Sequence, residues 1–371
     1  MILNNEELKG ICSKLLAALD SNSTSVITET LLIEAKDKIL TLSITNMEYV
    51  MKIKLDIKSD EEFNAAVNAD LFLKLINHLT TDTVDLSIDD TILVVKSNGV
   101  YKLPMIFEED KLVTLPNIVI DNVISEFSID TKNLMMLYNY NSKELNKNLI
   151  GSPVQKMYYV DKDGCITFTS GACITNFSLP DEVKILLPQN IVKLFKLFSS
   201  DKLTMTLGKD ALTDNLYQTK LQLKDSNIEL SVILSSDENM INMVPKDSIR
   251  NMATKKYPYT VVVNKTSLLN IIDRLMLFMP SNLYLQPYGQ FEFYEDHVTI
   301  FDKSKHNKEE LMYVSPIELN NTPLNLILDL TDFKVMLSNV EEDTIKLHFG
   351  TGQAVVVERP NIYNVIPECV L

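Results

Sequence analysis

The chain is short of what most catalytic and export machinery is made from. Nine glycines in 371 residues leave little material for phosphate-cradling loops, and no G-x-G-x-x-G, P-loop, G-x-S-x-G or H-E-x-x-H occurs. The four cysteines (Cys12, Cys165, Cys173, Cys369) form no C-x-x-C pair, which suits reduced thiols rather than a disulfide or zinc framework. Cys173 is flanked by an alternating strand pattern with no histidine nearby in sequence. His78, His297, His306 and His348 have no ligand spacing, so neither a metal nor a cofactor is expected, and no catalytic residue stands out. The start, MILNNEELKG, lacks a basic n-region and an apolar h-region. No apolar run approaches the ~18 residues of a membrane span. A cytoplasmic protein with no membrane partner is the expectation.

Positive charge is also scarce: 35 Lys and Arg face 50 Asp and Glu, a net charge of −15. An even spread would repel nucleic acid. The hydrophobic share of 46% supports cores for two or three domains at about 100–200 residues each.

What is present is repetition. "VNADLFLKLINHLTTDTVDLSIDDTILVVKS", from Val67 to Ser97, has helical spacing at Leu71, Leu75 and Leu79 with Phe72 and Ile76. The period then changes to 2 at Val84, Leu86 and Ile88, and Asp89-Asp90 turns the strand into Ile92–Val95. "LPQNIVKLFKLFSSDKLTMTLGKD" and "LDLTDFKVMLSNVEEDTIKLHFGTG" repeat the pattern. A second helix type comes three times, each behind an N-capping Asn or Asp four residues before a leucine: Asn4 and Leu8, Asp130 and Leu134, Asn264 and Leu268. The leucines lie 126 and 134 residues apart, too far for a solenoid. These spacings predict an α+β chain of three similar domains, 1–124, 125–250 and 251–371, each with two helices on antiparallel strands. The boundaries are placed at "EEDKLVTLPNIVIDN" and at the polar "VPKDSIRNMATKKYPY".

Charge follows the elements. Six helical windows (6–19, 70–80, 131–147, 189–198, 265–278, 331–338) carry eleven basic residues: Lys9, Lys14, Lys74, Lys132, Lys143, Lys147, Lys193, Lys196, Lys265, Arg274 and Lys334. They carry six acidic ones, a surplus of five positive charges that leaves −20 on the rest of the chain. Helices lining one surface and strands the other would give a weakly basic face and a strongly acidic one.

The order of these segments resembles the bacterial DNA polymerase beta sliding clamp. The likeness rests on "LLIEAKDKILTLSITNMEY", "FNAAVNADLFLKLINHL", "VDLSIDDTILVVKSNGVYKLP", "ITFTSGACITNF" and the ending "YNVIPECVL". It implies a diverged bacterial or phage processivity factor without catalytic activity, a homodimer in which each chain forms half of a closed ring. Double-stranded DNA would be held without regard to sequence, and the eleven helix cations would face it. The resemblance further implies a groove for linear peptides of the replicative polymerase and the clamp loader, at Val154, Thr169, Gly171, Ile174, Met243, Val365, Ile366 and Pro367. Ala172-Cys173 stands where the family often has His-Arg. The dimer interface would bring Tyr101 and Leu103 against Phe278 and Met279. The competing class is a scaffold of repeated α+β domains with no DNA.

Overall fold

A computed structural model describes residues 1–19, 25–145, 153–168, 172–175, 177–180, 183–213, 216–234, 238–279, 287–320, 323–338 and 340–369. One element order, strand, helix, four strands, helix, three strands, occurs three times. The first repeat is β1 (Ile2–Asn4), α1 (Asn5–Ala18), β2 (Thr30–Lys36), β3 (Ile39–Thr45), β4 (Tyr49–Asp56), β5 (Phe63–Asn68), α2 (Ala69–His78), β6 (Thr83–Asp89), β7 (Ile92–Lys96) and β8 (Val100–Pro104). A small hairpin, β9 (Phe107–Glu108) and β10 (Lys111–Leu112), follows. The second is β11 (Val123–Asp130), α3 (Thr131–Leu145), β12 (Met157–Asp161), β13 (Gly164–Phe168), β14 (Ala172–Thr175), β15 (Ile185–Pro188), α4 (Gln189–Val192, continued by a 3-10 turn Lys193–Leu197), β16 (Lys202–Thr213), β17 (Leu216–Lys224) and β18 (Ile228–Leu234). Two helices, α5 (Glu238–Asn242) and α6 (Lys246–Thr254), lead to the third. It is β19 (Tyr259–Asn264), α7 (Lys265–Met276), β20 (Tyr288–Phe293), β21 (His297–Phe301), β22 (Lys308–Met312), β23 (Leu324–Asp329), α8 (Leu330–Leu337), β24 (Thr344–Phe349), β25 (Val355–Arg359) and β26 (Ile362–Ile366).

All six expected helical windows contain helix. The starts of α1, α2, α7 and α8 are set by capping residues: Asn4 accepts from Glu7 N, Asn68 from Leu71 N, Asn264 from Ser267 N, and Asp329 from Thr331 N and Asp332 N. Asp130 accepts from Lys132 N. Two expectations change. In α2 the buried stripe is Ala69, Phe72, Leu73 and Ile76, while Leu71 is 54% exposed; five apolar residues among the six from Leu71 to Ile76 allow the stripe to rotate by one position. The polar stretch expected to separate domains is α6, whose Ile249 and Ala253 are buried. The limit at 250/251 therefore falls inside a helix and the limit at 124/125 inside β11.

The contacts divide the chain into two compact units, Met1–Lys132 with Leu194–Asp237 and Asn133–Lys193 with Glu238–Leu371. Each holds one eight-stranded and one four-stranded antiparallel sheet. In the first unit these are β11-β16-β17-β18-β4-β3-β2-β5 and β1-β6-β7-β8, and in the second β15-β12-β13-β14-β26-β25-β24-β19 and β22-β21-β20-β23. Each eight-stranded sheet is two four-stranded sheets from successive repeats, fused by one antiparallel junction. Ile53 faces Ile228 where β4 meets β18, and Ala172 faces Val365 where β14 meets β26.

In the first unit α1 and α2 lie side by side, linked by Ser13 Oγ to Asn77 Oδ1 at 2.9 Å, and the buried Asn5 amide donates to Thr81 O at 2.6 Å. In the second, α7 and α8 close over a core of Phe291, Phe293, Phe333 and Phe349. The Phe293 and Phe349 rings stack at 4.0 Å and Phe291 meets Phe333 edge-on at 5.7 Å. The turn between β12 and β13 depends on Gly164, whose φ is +119°. A Cβ there would lie 2.3 Å from the Thr175 carbonyl oxygen, a fixed backbone atom. Gly164→Ala is expected to cost about 2–4 kcal/mol, seen as a lower denaturant midpoint with an unchanged m-value.

Candidate functional site

Three sets of residues carry functional expectations: helix cations, an apolar cluster in the second unit, and two unpaired sheet edges.

The helix cations divide by partner. Lys74 is held by Asp70 one turn away at 2.8 Å, Lys334 of α8 by Asp273 of α7 at 2.7 Å, and Arg274 by both Glu309 oxygens of β22. The Glu309 pairing holds the Arg274 guanidinium above its usual pKa. Lys14 donates to Ser199 Oγ at 2.8 Å and Lys265 to Val340 O at 3.2 Å. Lys9, Lys132 and Lys193 enter no ion pair among the described residues, and Lys196 is exposed at the surface. For Lys143 only the backbone is described, and Lys147 lies outside the described residues. The family of helix cations thus contains three that are neutralised locally and three that keep their full charge for an external anion.

The apolar cluster is built by strands of one eight-stranded sheet and by α6 with the turns beside them. Val154 precedes β12, Tyr159 and Ile166 pair across β12 and β13, Val356 and Val365 pair across β25 and β26, and Val244, Ile249 and Ala253 come from α6 and the turn before it. Half-buried Met157, Met240, Ile241, Met252, Tyr257 and Tyr363 pack on it. Of the sequence-derived groove residues, Val154 and Val365 are 1% exposed and form its floor, whereas Met243 and Pro367 are exposed. Ile366 is a correction: strand alternation turns it into the neighbouring core with Phe333 and Phe349, away from this cluster. Ile174 is placed by its backbone alone, opposite Tyr363, and Thr169 and Gly171 lie outside the described residues. Sequence reasoning missed Met240, Met252, Tyr257 and Tyr363; the run "ENMINM" was the available signal, since clustered methionines suit surfaces that adapt to different ligands.

Beside this cluster lies an open pocket of ≈ 490 Å³ lined by residues that include Tyr159, Asp161, Lys246 and Arg250. Arg250 donates to Asp161 at 2.5 Å, and Tyr159 OH donates to the same carboxylate at 2.9 Å. Burial pushes the Asp161 pKa up, but the bonds from Arg250, Asp163 N and Tyr159 outweigh it and the net direction is down. Burial, with the Asp161 hydrogen bond second, pushes the Tyr159 phenol well up.

The unpaired edges follow from the junctions. The third strand after the first helix of a repeat, β4 or β14, pairs with the last strand of the next repeat, β18 or β26. By the same rule β22 and β8 remain, each at the edge of its four-stranded sheet. Near them Leu277, Phe278, Met312, Val314 and Val100 are 60–80% exposed. Tyr101 is half-buried on β8. Leu103 and Met279 are corrections: Leu103, opposite Leu93, is 2% exposed, and Met279 at 9% belongs to the third-repeat core. On β8, Tyr101 and Leu103 share the inward face, and Val100 and Lys102 take the outward one.

The histidines make polar and stacking contacts, His297 lying flat on the Tyr294 ring at 4.6 Å. His348 lies between Thr260 Oγ1 at 2.8 Å and Glu358 Oε2 at 2.7 Å, on three adjacent strands of one sheet. Among the described residues no three His, Cys, Asp or Glu groups could hold a metal ion. No helix among them is long and apolar enough to cross a membrane.

Comparison with known proteins gives the fold a counterpart. The family model described as DNA polymerase III beta subunit, N-terminal domain, matches residues 1–132. A DNA polymerase sliding clamp from Pseudomonas aeruginosa superposes with a TM-score of 0.82 at 14% identity, over 100% of this chain and 99% of that one. The sliding clamp from Bacillus subtilis gives 0.78 at 14%, over 100% and 98%. The beta subunit from Thermotoga maritima gives 0.75 at 16%, over 100% and 99%. No curated protein sequence matches.

Proposed function

We propose that this chain, whose first 132 residues match the DNA polymerase III beta-subunit family and whose whole length carries the sliding-clamp fold, is a DNA sliding clamp. In this reading it encircles duplex DNA, tethers the replicative polymerase for processive synthesis, and catalyses nothing itself. It works in the cytoplasm as a head-to-tail homodimer of three-domain chains. The domain limits move out of β11 and α6, to about residue 122 and to the loop after Thr254.

The observation that carries it is the junction rule. Two of three successive junctions are made within the chain, and the third leaves one donor edge, β22, and one acceptor edge, β8. A second copy can satisfy both through two heterologous contacts, and in this reading the pair closes into a ring instead of growing into a filament. Exposed edge strands of this kind need cover.

Sliding needs attraction without preferred stops. Lysines such as Lys9, Lys132 and Lys193 can hold phosphates through water, whereas contacts to base edges would trap the protein at particular sequences. The acidic remainder disfavours binding DNA side-on. Retention then comes from topology. Polymerase and loader peptides would place large apolar side chains over Val154 and Val365, between the half-buried methionines and tyrosines of the cluster.

The test is retention on DNA of different topology. Protein placed by a clamp loader on nicked circular DNA is expected to stay through gel filtration at moderate salt, and to be lost once a single cut linearises the circle. Equal retention on circle and line would refute the proposal.

A further inference from the structure

We infer that one end of the β22–β8 contact between two copies is a charge-matched latch, the lysine turn before β22 of one copy against a rim of carboxylates around the end of β8 of the other. The inference rests on the clamp reading above and adds to it a polarity and a sensitivity to salt.

Orientation comes from the junctions already made. Both are antiparallel, with the start of the first strand opposite the end of the second: Tyr49 faces Val232, and Ala172 faces Val365. The turn leading into the first strand also touches the end of the second, since Ile233 N donates to Glu48 O at 2.8 Å. Charges match there, with Lys52 directly opposite Glu229. Carried to the open edges, the turn 302–307 and Lys308 of one copy come beside the end of β8 of the other.

The turn is braced from within. Asp302, 3% exposed, accepts from Ser304 Oγ at 2.9 Å, His306 N at 3.1 Å and Asn307 Nδ2 at 2.7 Å. These bonds hold the Asp302 carboxyl below its usual pKa against the upward push of burial. Lys303, Lys305 and Lys308 are left exposed; among the described residues their acidic partners are Glu292, 4.0 Å from Lys305, and Glu310, 3.9 Å from Lys308. Pairs so long and so wet hold little.

The end of β8 is the opposite. Met105 N donates to Thr91 O, which brings the β6–β7 turn with exposed Asp89 and Asp90 alongside it. Within six residues of Pro104 come Glu108, Glu109 and Asp110, also exposed. Asp90, Glu109 and Asp110 have φ of 55°, 48° and 60°, a conformation in which Asn or Gly would be the easier choice. Along the strands, Lys102 of β8 comes opposite the Glu309–Glu310 stretch of β22. The other end of the junction is apolar, with Met312 and Val314 toward Val100. Contact with a copy of the wrong orientation would set lysine against lysine and carboxylate against carboxylate.

The experiment uses two full-length variants and their mixture. K303E/K308E puts acid on both sides of each junction; D89K/E108K puts base on both sides and avoids the left-handed positions. Sedimentation at low salt is expected to show each variant alone dissociating at least about tenfold more readily than the parent. An equimolar mixture should recover the parent's dimer, because every junction then pairs opposite charges. Raising salt from about 50 to about 500 mM, which shortens screening to a few ångströms, should dissociate the parent and the mixture alike. Variants that each dimerise like the parent, or a mixture no tighter than its components, would overturn the latch. Should a reversed variant lose its thermal transition, D89N/E108Q replaces it, with a flatter salt dependence than the parent expected and an unchanged one overturning the latch. A parent protein that never dimerises would instead overturn the clamp reading.

Discussion

Replacing Arg250 by alanine is expected to cost about 3–5 kcal/mol of folding free energy, a large share of a domain's net stability. Arg250 sits on α6 and Asp161 at the end of β12, so their 2.5 Å contact ties the helix to the sheet beneath it. Removal leaves Asp161, 5% exposed, with a buried charge answered by Tyr159 and the Asp163 amide alone. The loss should depend on pH. The folded pKa of Asp161 lies below its usual value, so the pair stabilises above the unfolded carboxylate pKa of about 3.9. That stabilisation fades as pH falls through the lower, folded value. Urea titrations at pH 7 should therefore separate parent and variant fully, and the gap should narrow below about pH 4. A gap of under about 1 kcal/mol at neutral pH would mean that α6 is held by Ile249 and Ala253 alone.

This helix also shows where sequence reasoning ended. The windows around α1, α3, α7 and α8 were legible because apolar spacing, a capping side chain and a following strand pattern agree in each. The segment of α6 offers two buried residues in nine and a proline before its first turn, so composition alone makes it look like a linker. Its helicity comes from docking on Val154, Ile166 and Val365, contacts about 80–120 residues away in sequence. The same distance explains the site residues. Val154 and Val365 are legible through the family resemblance, but the methionines and tyrosines around them are set by packing that no local period records. At the open edges, choosing Val100 and Leu277 over Leu103 and Met279 required knowing which side of β8 and of the α7 end faces the core. The edges themselves are visible only once the sheet order is known.

Reversing Lys9, Lys132 and Lys193 to glutamate should have the largest effect on DNA. Three changes per chain turn six cations of a dimer into anions. If all six lie near phosphates, the slope of log affinity against log salt should fall by about five, and affinity near 0.1 M salt by about 10³-fold or more. Fold stability should hardly change: none of the three enters an ion pair among the described residues, and Lys132→Glu places an acid in the first turn of α3, where the helix dipole favours it. The control reverses Lys36, Lys58 and Lys96, exposed residues on or just after strands that enter no ion pair among the described residues. Net charge changes equally, so a general repulsion would affect both variants alike, whereas a DNA-facing role for the helices predicts that only the first loses processive synthesis. The paired cations make a poorer test. Reversing Arg274, Lys74 or Lys334 strands Glu309, Asp70 or Asp273 and confounds local repulsion with lost DNA contact. Equal loss in both triple variants would locate the DNA elsewhere, and the charge segregation between helices and strands would then belong to helix formation alone.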